Sequence, residues 1–249
     1  MNTEILADDK FKFSCHPGLS CFGHCCRDIN IFLSPYDVVR LKNKLGITST
    51  EFLDRYAIRH TVPNSGFTVI QLKMREDQNL KCPFVTASGC AVYTDRPWSC
   101  RMAPVEMRGN GKYGFCFDST YCLGLNEEKE QTVREWMGEQ EMEIYEIVEK
   151  AFKEIPLRLK LSAAGSSSGT LSELFFMSCY DLDRFRKLVL DREFVKTFHL
   201  SRDVVEKIKN NDIELMEFGF DWLLSGITGK PTMEKLDKML RRLSGCAVR

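Results

Sequence analysis

Residues 15–26 read CHPGLSCFGHCC, residues 82–100 read CPFVTASGCAVYTDRPWSC, and residues 116–122 read CFDSTYC. Nine of the eleven cysteines lie in these stretches: Cys15, Cys21, Cys25, Cys26, Cys82, Cys90, Cys100, Cys116 and Cys122. Thiolates are preferred ligands of zinc and iron–sulfur centres, and about four must converge on a tetrahedral ion or a cubane. Gly18, Gly23, Pro83 and Gly89 let the backbone turn sharply enough for neighbouring sulfurs to meet. All nine are therefore candidate metal ligands. Side chains of consecutive residues diverge in extended chain, so Cys25 and Cys26 are expected to serve different metals, or one to stand behind the other.

A disulfide framework is the competing account of such density. It is disfavoured by the odd cysteine count and by the opening MNTEILADDKFKF, which lacks the basic start and apolar stretch of a secretory signal. The expectation is a cytoplasmic protein with reduced thiols. Cys179 falls on an apolar helical stripe and Cys246 in the tail, so neither joins the ligand set. Lys plus Arg equals Asp plus Glu at 35 each, which gives no reason to expect nucleic acid or anionic lipid as a partner. Apolar runs fall short of the ~20 residues that a membrane helix needs. A protein partner stays open.

Working outward, the fold class is α+β, with a small irregular cysteine-rich half followed by an all-helical C-terminal region. SPYDVVRLKNKLG reads as a helix with Ser34 as N-cap, Pro35 in its first turn and Gly46 past its end. Thr48 and Glu51 stand at capping-box spacing before a second helix. Residues 67–74 alternate as a half-buried strand, and VEMRGNGKYGFCF reads as a hairpin turning at Gly109 to Gly111. Apolar positions from Gln131 to Ile155 recur at helical spacing until Pro156, predicting one long helix. Thr170 and Glu173 look like a further capping box. The organisation expected is a metal-binding domain over 1–125, the long helix over 126–161, a flexible linker over 162–169 and a helical region over 170–249.

The CC pair followed by Arg27 and Asp28, then CPF, then a cysteine leading into AVYTDRPWSCR, resembles the YkgJ-type cysteine-cluster family, a zinc- or iron-chelating domain. The resemblance covers roughly residues 13–122. Residue by residue it matches Cys21, Cys25, Cys26, Cys82, Cys90 and Cys100, flanked by Arg96, Pro97 and Arg101, and reaches Cys15, Cys116 and Cys122 less directly. The chain departs from the pattern in having three residues before the CC pair, and Ala103 where the family tends to have an aromatic. The same domain type occurs in flagellin lysine N-methylase, which the resemblance makes a distant enzymatic cousin.

Four thiolates around zinc or an oxidised cubane leave net negative charge, so Arg101, and less readily Arg27 or Arg96, would offset it and donate to sulfur. His16 and His24 could replace a thiolate. The acid pairs Asp181 and Asp183, and Glu139, Glu141 and Glu143, read as solvated helix faces. Cys21, Cys25 and Cys26 do not supply the C-x3-C-x2-C spacing of radical S-adenosylmethionine enzymes. Two readings stand: a metal-binding protein holding an iron–sulfur cluster or zinc in a structural, redox or metal-handling role, and a metal-dependent protein-modifying enzyme similar to flagellin lysine N-methylase. Iron–sulfur is preferred to zinc because it accounts for so many cysteines left unpaired with one another.

Overall fold

The computed structural model describes residues 4–63, 67–158, 168–225 and 230–245. In chain order the first half carries β1 (Ile5–Leu6), β2 (Lys10–Lys12), β3 (Phe32–Leu33), α1 (Pro35–Leu45), α2 (Ser49–Tyr56), β4 (Ala57–Thr61), β5 (Thr68–Leu72), β6 (Val85–Thr86), β7 (Gly89–Cys90), α3 (Trp98–Met102), β8 (Val105–Gly109) and β9 (Lys112–Phe115). There follow β10 (Glu130–Thr132), α4 (Val133–Glu139), α5 (Glu143–Val148), α6 (Lys150–Arg158), α7 (Ser168–Cys179), α8 (Leu182–Val189), α9 (Arg192–Thr197), α10 (Arg202–Asn210), α11 (Asp212–Leu224) and α12 (Lys230–Gly245). The class is α+β, with short strands in the first half and helices in the second.

Local chemistry explains the well-formed elements. The Ser34 hydroxyl accepts from the Asp37 amide at 3.1 Å while the Asp37 carboxylate accepts from the Ser34 amide at 2.9 Å, so two orphan donors at the start of α1 are satisfied together. Gly46 ends that helix at φ 66°, a left-handed conformation in which a side chain would be strained. Thr48 caps α2 through the Glu51 amide. The β8–β9 hairpin turns through Asn110 at φ 51° and Gly111 at φ 72°, the positive-φ pair that a twisted two-residue turn requires.

Two apolar cores organise the chain. The larger gathers residues from Ile31 to Leu240: the inner face of the antiparallel sheet β3-β5-β4, with Leu33, Ile70 and Leu72, meets α1, α2 and the C-terminal helices. Leu41, Phe52, Phe175, Phe185 and Phe220 are fully enclosed there, each contributing about 1.5–3 kcal/mol by leaving water. The smaller core is Phe11, Phe13, Met102, Val105, Val133, Trp136 and Met142. It lies beneath β1-β9-β8 and the β2–β10 pair, which ties Lys10–Lys12 to Glu130–Thr132.

The structure departs from the sequence reading in several places. The long helix over 131–155 is instead β10 and three shorter helices, the first break coming where Glu141 takes φ 55° between α4 and α5. Pro156 does not end helix formation: α6 runs on to Arg158. Thr170 lies inside α7, with its hydroxyl donating to Asp237, and caps nothing. Asp181 is buried and accepts from the Ser49 and Thr50 hydroxyls, and Asp183 accepts from the Ser49 amide, so this acid pair staples α2 to α8 and is not a solvated face. Of the linker at 162–169, residues 162–167 lie outside the described residues and Ser168 and Gly169 begin α7; Cys246 also lies outside them. No helix among the described residues is long and apolar enough to cross a membrane.

Candidate metal centre

The nine cysteines are free thiols, of which Cys82, Cys90 and Cys100 pack against the larger core and Cys122 against the smaller. Cys15, Cys25 and Cys116 are exposed and the other six half-buried, whereas Cys179 is fully buried in the large core as the apolar stripe indicated.

Each loop has a local cause. Gly23 at φ 79° starts a tight 3-10 turn over His24–Cys26, which brings Cys25 and Cys26 together. In this turn the two thiols influence each other's titration, so the divergence expected of an extended pair does not hold here. The Cys82 amide donates to the Cys26 carbonyl at 2.8 Å, locking the second loop onto that turn. Cys90 follows in the two-stranded β6–β7 ribbon, opposite Val85. Gly89 turns there at φ 113°, and a Cβ at this position would press on the Phe22 ring at 3.3 Å, so the ribbon packs closely against that ring. Cys100 sits in α3. Cys116 follows β9 with its amide bonded to the Pro104 carbonyl at 2.9 Å. Cys122 starts another 3-10 turn, Leu123–Asn126.

The third loop is sewn to the first on both sides. The Ser14 amide donates to the Gly124 carbonyl at 3.1 Å, and the Tyr121 hydroxyl donates to the His24 carbonyl at 3.0 Å.

The thiols sense one another. Burial pushes the Cys15 thiol up to about 11, reinforced by the charges of Cys25, Cys122 and Cys21. Burial likewise raises Cys82, Cys90, Cys100 and Cys122. Cys116 rises to about 11 for the same reason. In the adjacent pair, the hydrogen bond from Cys26 favours the Cys25 thiolate and correspondingly holds the Cys26 proton. Among the described residues no three His, Cys, Asp or Glu side chains close on a common point. The donor chemistry nonetheless fits a thiophilic centre: the sulfurs are free of disulfides, and a bound cation would displace the protons that burial holds on them.

The arginines divide differently from expectation. Arg101 is buried, and its guanidinium donates to the carbonyls of Arg96 at 3.1 Å, Gln140 at 2.9 Å and Thr94, so it braces backbone. Arg27 donates to the Gln78 carbonyl at 3.0 Å. Arg96 is the cation whose charge reaches Cys15, Cys90 and Cys100. Its position is fixed by the Tyr93 carbonyl at 2.7 Å, by Gln140 and by the Tyr93 ring, 3.8 Å below the guanidinium. His16 is engaged with the Gly18 amide and Glu127, and His24 is exposed.

Behind Cys100 runs a buried polar chain that the sequence did not reveal. The Asp37 carboxylate accepts from the Trp98 amide at 2.8 Å, and the Tyr145 hydroxyl donates to the Arg96 carbonyl at 3.3 Å. Burial pushes Asp37 up to about 6 and neighbouring Glu149 up to about 7. The Asp at the third helical position after Ser34 was visible in the sequence; that its second oxygen reaches Trp98 was not.

Residues 14–136 match the family model CxxCxxCC, described as "Putative zinc- or iron-chelating domain". No curated protein and no solved structure matches the chain.

Proposed function

Since residues 14–136 belong to the CxxCxxCC family, we propose that the chain is a metal-binding protein whose clustered thiolates hold iron–sulfur in preference to zinc. The ligands come from Cys15, Cys21, Cys25, Cys26, Cys82, Cys90, Cys100, Cys116 and Cys122. The observation that carries the reading is that three loops distant in sequence are hydrogen-bonded into one assembly of free thiols. Metal binding draws together sulfurs that the fold already gathers, and Arg96 offsets the charge of the loaded centre. The role is structural, redox or in metal handling, within a cytoplasmic protein.

The two described clefts, of ≈ 630 and ≈ 640 Å³, are walled by residues such as Ile147, Glu217 and Asp221 in one case and Tyr36, Asn43 and Asp212 in the other, with no cysteine in either wall. The alternative reading, substrate chemistry like that of flagellin lysine N-methylase, calls for a cofactor-sized cleft beside the metal.

The test is anaerobic purification followed by visible absorption and by iron, zinc and acid-labile sulfide analysis. A brown protein absorbing near ~400 nm, bleached by dithionite, with iron matched by sulfide, is expected. Colourless protein with stoichiometric zinc overturns the preference for iron while keeping the thiolate centre. Protein without either metal overturns the function.

A further inference from the structure

We infer that the cleft between α1 and the corner joining α10 to α11 is a binding site for a small anionic metabolite, gripped through a carboxylate or phosphate oxyanion. The inference stands apart from the metal-binding reading, since no cysteine lines this cleft.

The cleft has a volume of ≈ 640 Å³, within the range of small-molecule sites and more than a bare ion needs. Part of its lining is one face of α1, where Tyr36, Arg40 and Lys44 recur at four-residue spacing. Asp95 joins them from the turn Tyr93–Asp95, and residues 210–213 come from the corner where α10 ends and α11 begins.

The charges of the lining do not cancel. Arg40 and Lys44 share a single carboxylate, that of Asp95, at 3.1 and 3.7 Å. The other acid, Asp212, is held by buried Lys42 at 2.8 Å and by Arg186, and the same two cations hold Asp183, so two charges of each sign balance there. Counted over these residues, the cleft keeps one net positive charge.

Its donors are placed to use that charge. The Arg40 guanidinium donates to the Thr94 carbonyl at 2.6 Å and to Asp95 through one nitrogen, while its Nε is buried with no hydrogen-bond partner. A buried donor without an acceptor is costly, and guanidinium N–H groups match the paired oxygens of carboxylate and phosphate. The N-terminus of α11, a 13-residue helix, meets the same cleft. Its cap, Asn211, accepts from the Ile213 and Glu214 amides through its side-chain oxygen at 2.9 and 3.2 Å, which leaves the side-chain NH2 as a further donor. An oxyanion in this cleft would meet the excess charge of α1, the unused Arg40 donor and the Asn211 amide together.

The experiment is isothermal titration calorimetry on the full chain at fixed ionic strength, with inorganic phosphate as one probe and succinate as the other. Binding of at least one probe at one site per chain is expected, and the tighter probe tells a phosphate ligand from a carboxylate ligand. Lys44→Gln removes the charge in excess, and Asn211→Asp keeps a good helix cap while replacing the amide donor by a repelling carboxylate. Each should weaken the bound probe by about 10- to 100-fold, the loss of one charge-assisted hydrogen bond. Lys196→Gln on α9, an exposed position outside the cleft, removes the same charge and should leave the affinity unchanged. Far-UV circular dichroism checks that the variants are folded. Wild-type protein that binds neither probe overturns the site. Unchanged affinity in either cleft variant overturns it too, because the anion would then sit elsewhere on the chain, and an equal loss in Lys196→Gln would reduce the effect to overall charge.

Discussion

The seam between the first and third cysteine loops is tight enough for one methyl group to open it. A Cβ added at Gly124 would stand 2.6 Å from the Ser14 carbonyl oxygen and 2.9 Å from the Phe13 ring. Ordinary contact begins near 3.4 Å, so the Ser14 backbone must retreat by about 0.8 Å. Phe13 cannot yield instead, because it is buried in the small core with its ring against Trp136 at 5.2 Å. Overpacking of this kind costs about 1–3 kcal/mol, and the entropy that alanine removes from the unfolded chain returns only about 0.4–1 kcal/mol. The overpacking wins by about 1–2 kcal/mol, and the displaced backbone is the one that carries Cys15 toward Cys122. Gly124→Ala should therefore release metal at roughly 5- to 30-fold lower chelator concentration, at 1.4 kcal/mol per tenfold, with a matching drop in urea stability. Gly138→Ala is the control: its Cβ meets nothing within 4 Å, so metal retention should be unchanged and stability equal or higher by up to about 1 kcal/mol. A chelator profile for Gly124→Ala that superimposes on the wild type would refute the claim that this seam positions ligands.

Arg96→Met removes the cation whose charge reaches Cys90 and Cys100 and should weaken metal retention about 10- to 100-fold, whereas Arg101→Met should chiefly lower folding stability; chelator competition with urea unfolding separates the two. Asp37 and Glu149 titrate higher in the folded chain, at about 6 and about 7, than their ordinary values of 3.8 and 4.5. Their contribution to stability is thus fully present below about pH 4 and is lost as pH rises to about 7, on the order of 3 kcal/mol each. Wild-type protein should accordingly lose more urea stability between pH 4.5 and 7.5 than Asp37→Asn/Glu149→Gln does, and parallel pH profiles would count against these shifts. Cys179→Ala should cost about 1 kcal/mol as a small core truncation and leave metal content untouched; loss of metal would place that thiol in the site after all.

What could be read in the sequence was local. Ser34, Pro35 and Gly46 bound α1 through bonds made within a few residues, and Asn110 and Gly111 likewise dictate their hairpin. The cysteines announced themselves by clustering. What escaped depends on partners far along the chain. β2 is only three residues long and becomes a strand because Glu130–Thr132 pairs with it. The apolar period of 131–155 persists through the break at Glu141 because all three helices still bury one face. Arg101 adjoins a cysteine in sequence, yet the carbonyls of Thr94, Arg96 and Gln140 converge on its guanidinium, and it is the charge of Arg96 that reaches Cys90 and Cys100. Asp181 looked like a surface acid because nothing near it in sequence hints at the Ser49 and Thr50 hydroxyls.

X-ray absorption at the metal edge of the anaerobically purified chain addresses the thiolate centre most directly. A first shell of four sulfurs near ~2.3 Å is expected, joined by an iron–iron shell for a cluster, with no nitrogen or oxygen ligand. A first shell dominated by nitrogen or oxygen would contradict the account, because the gathered cysteines would then not be what holds the metal.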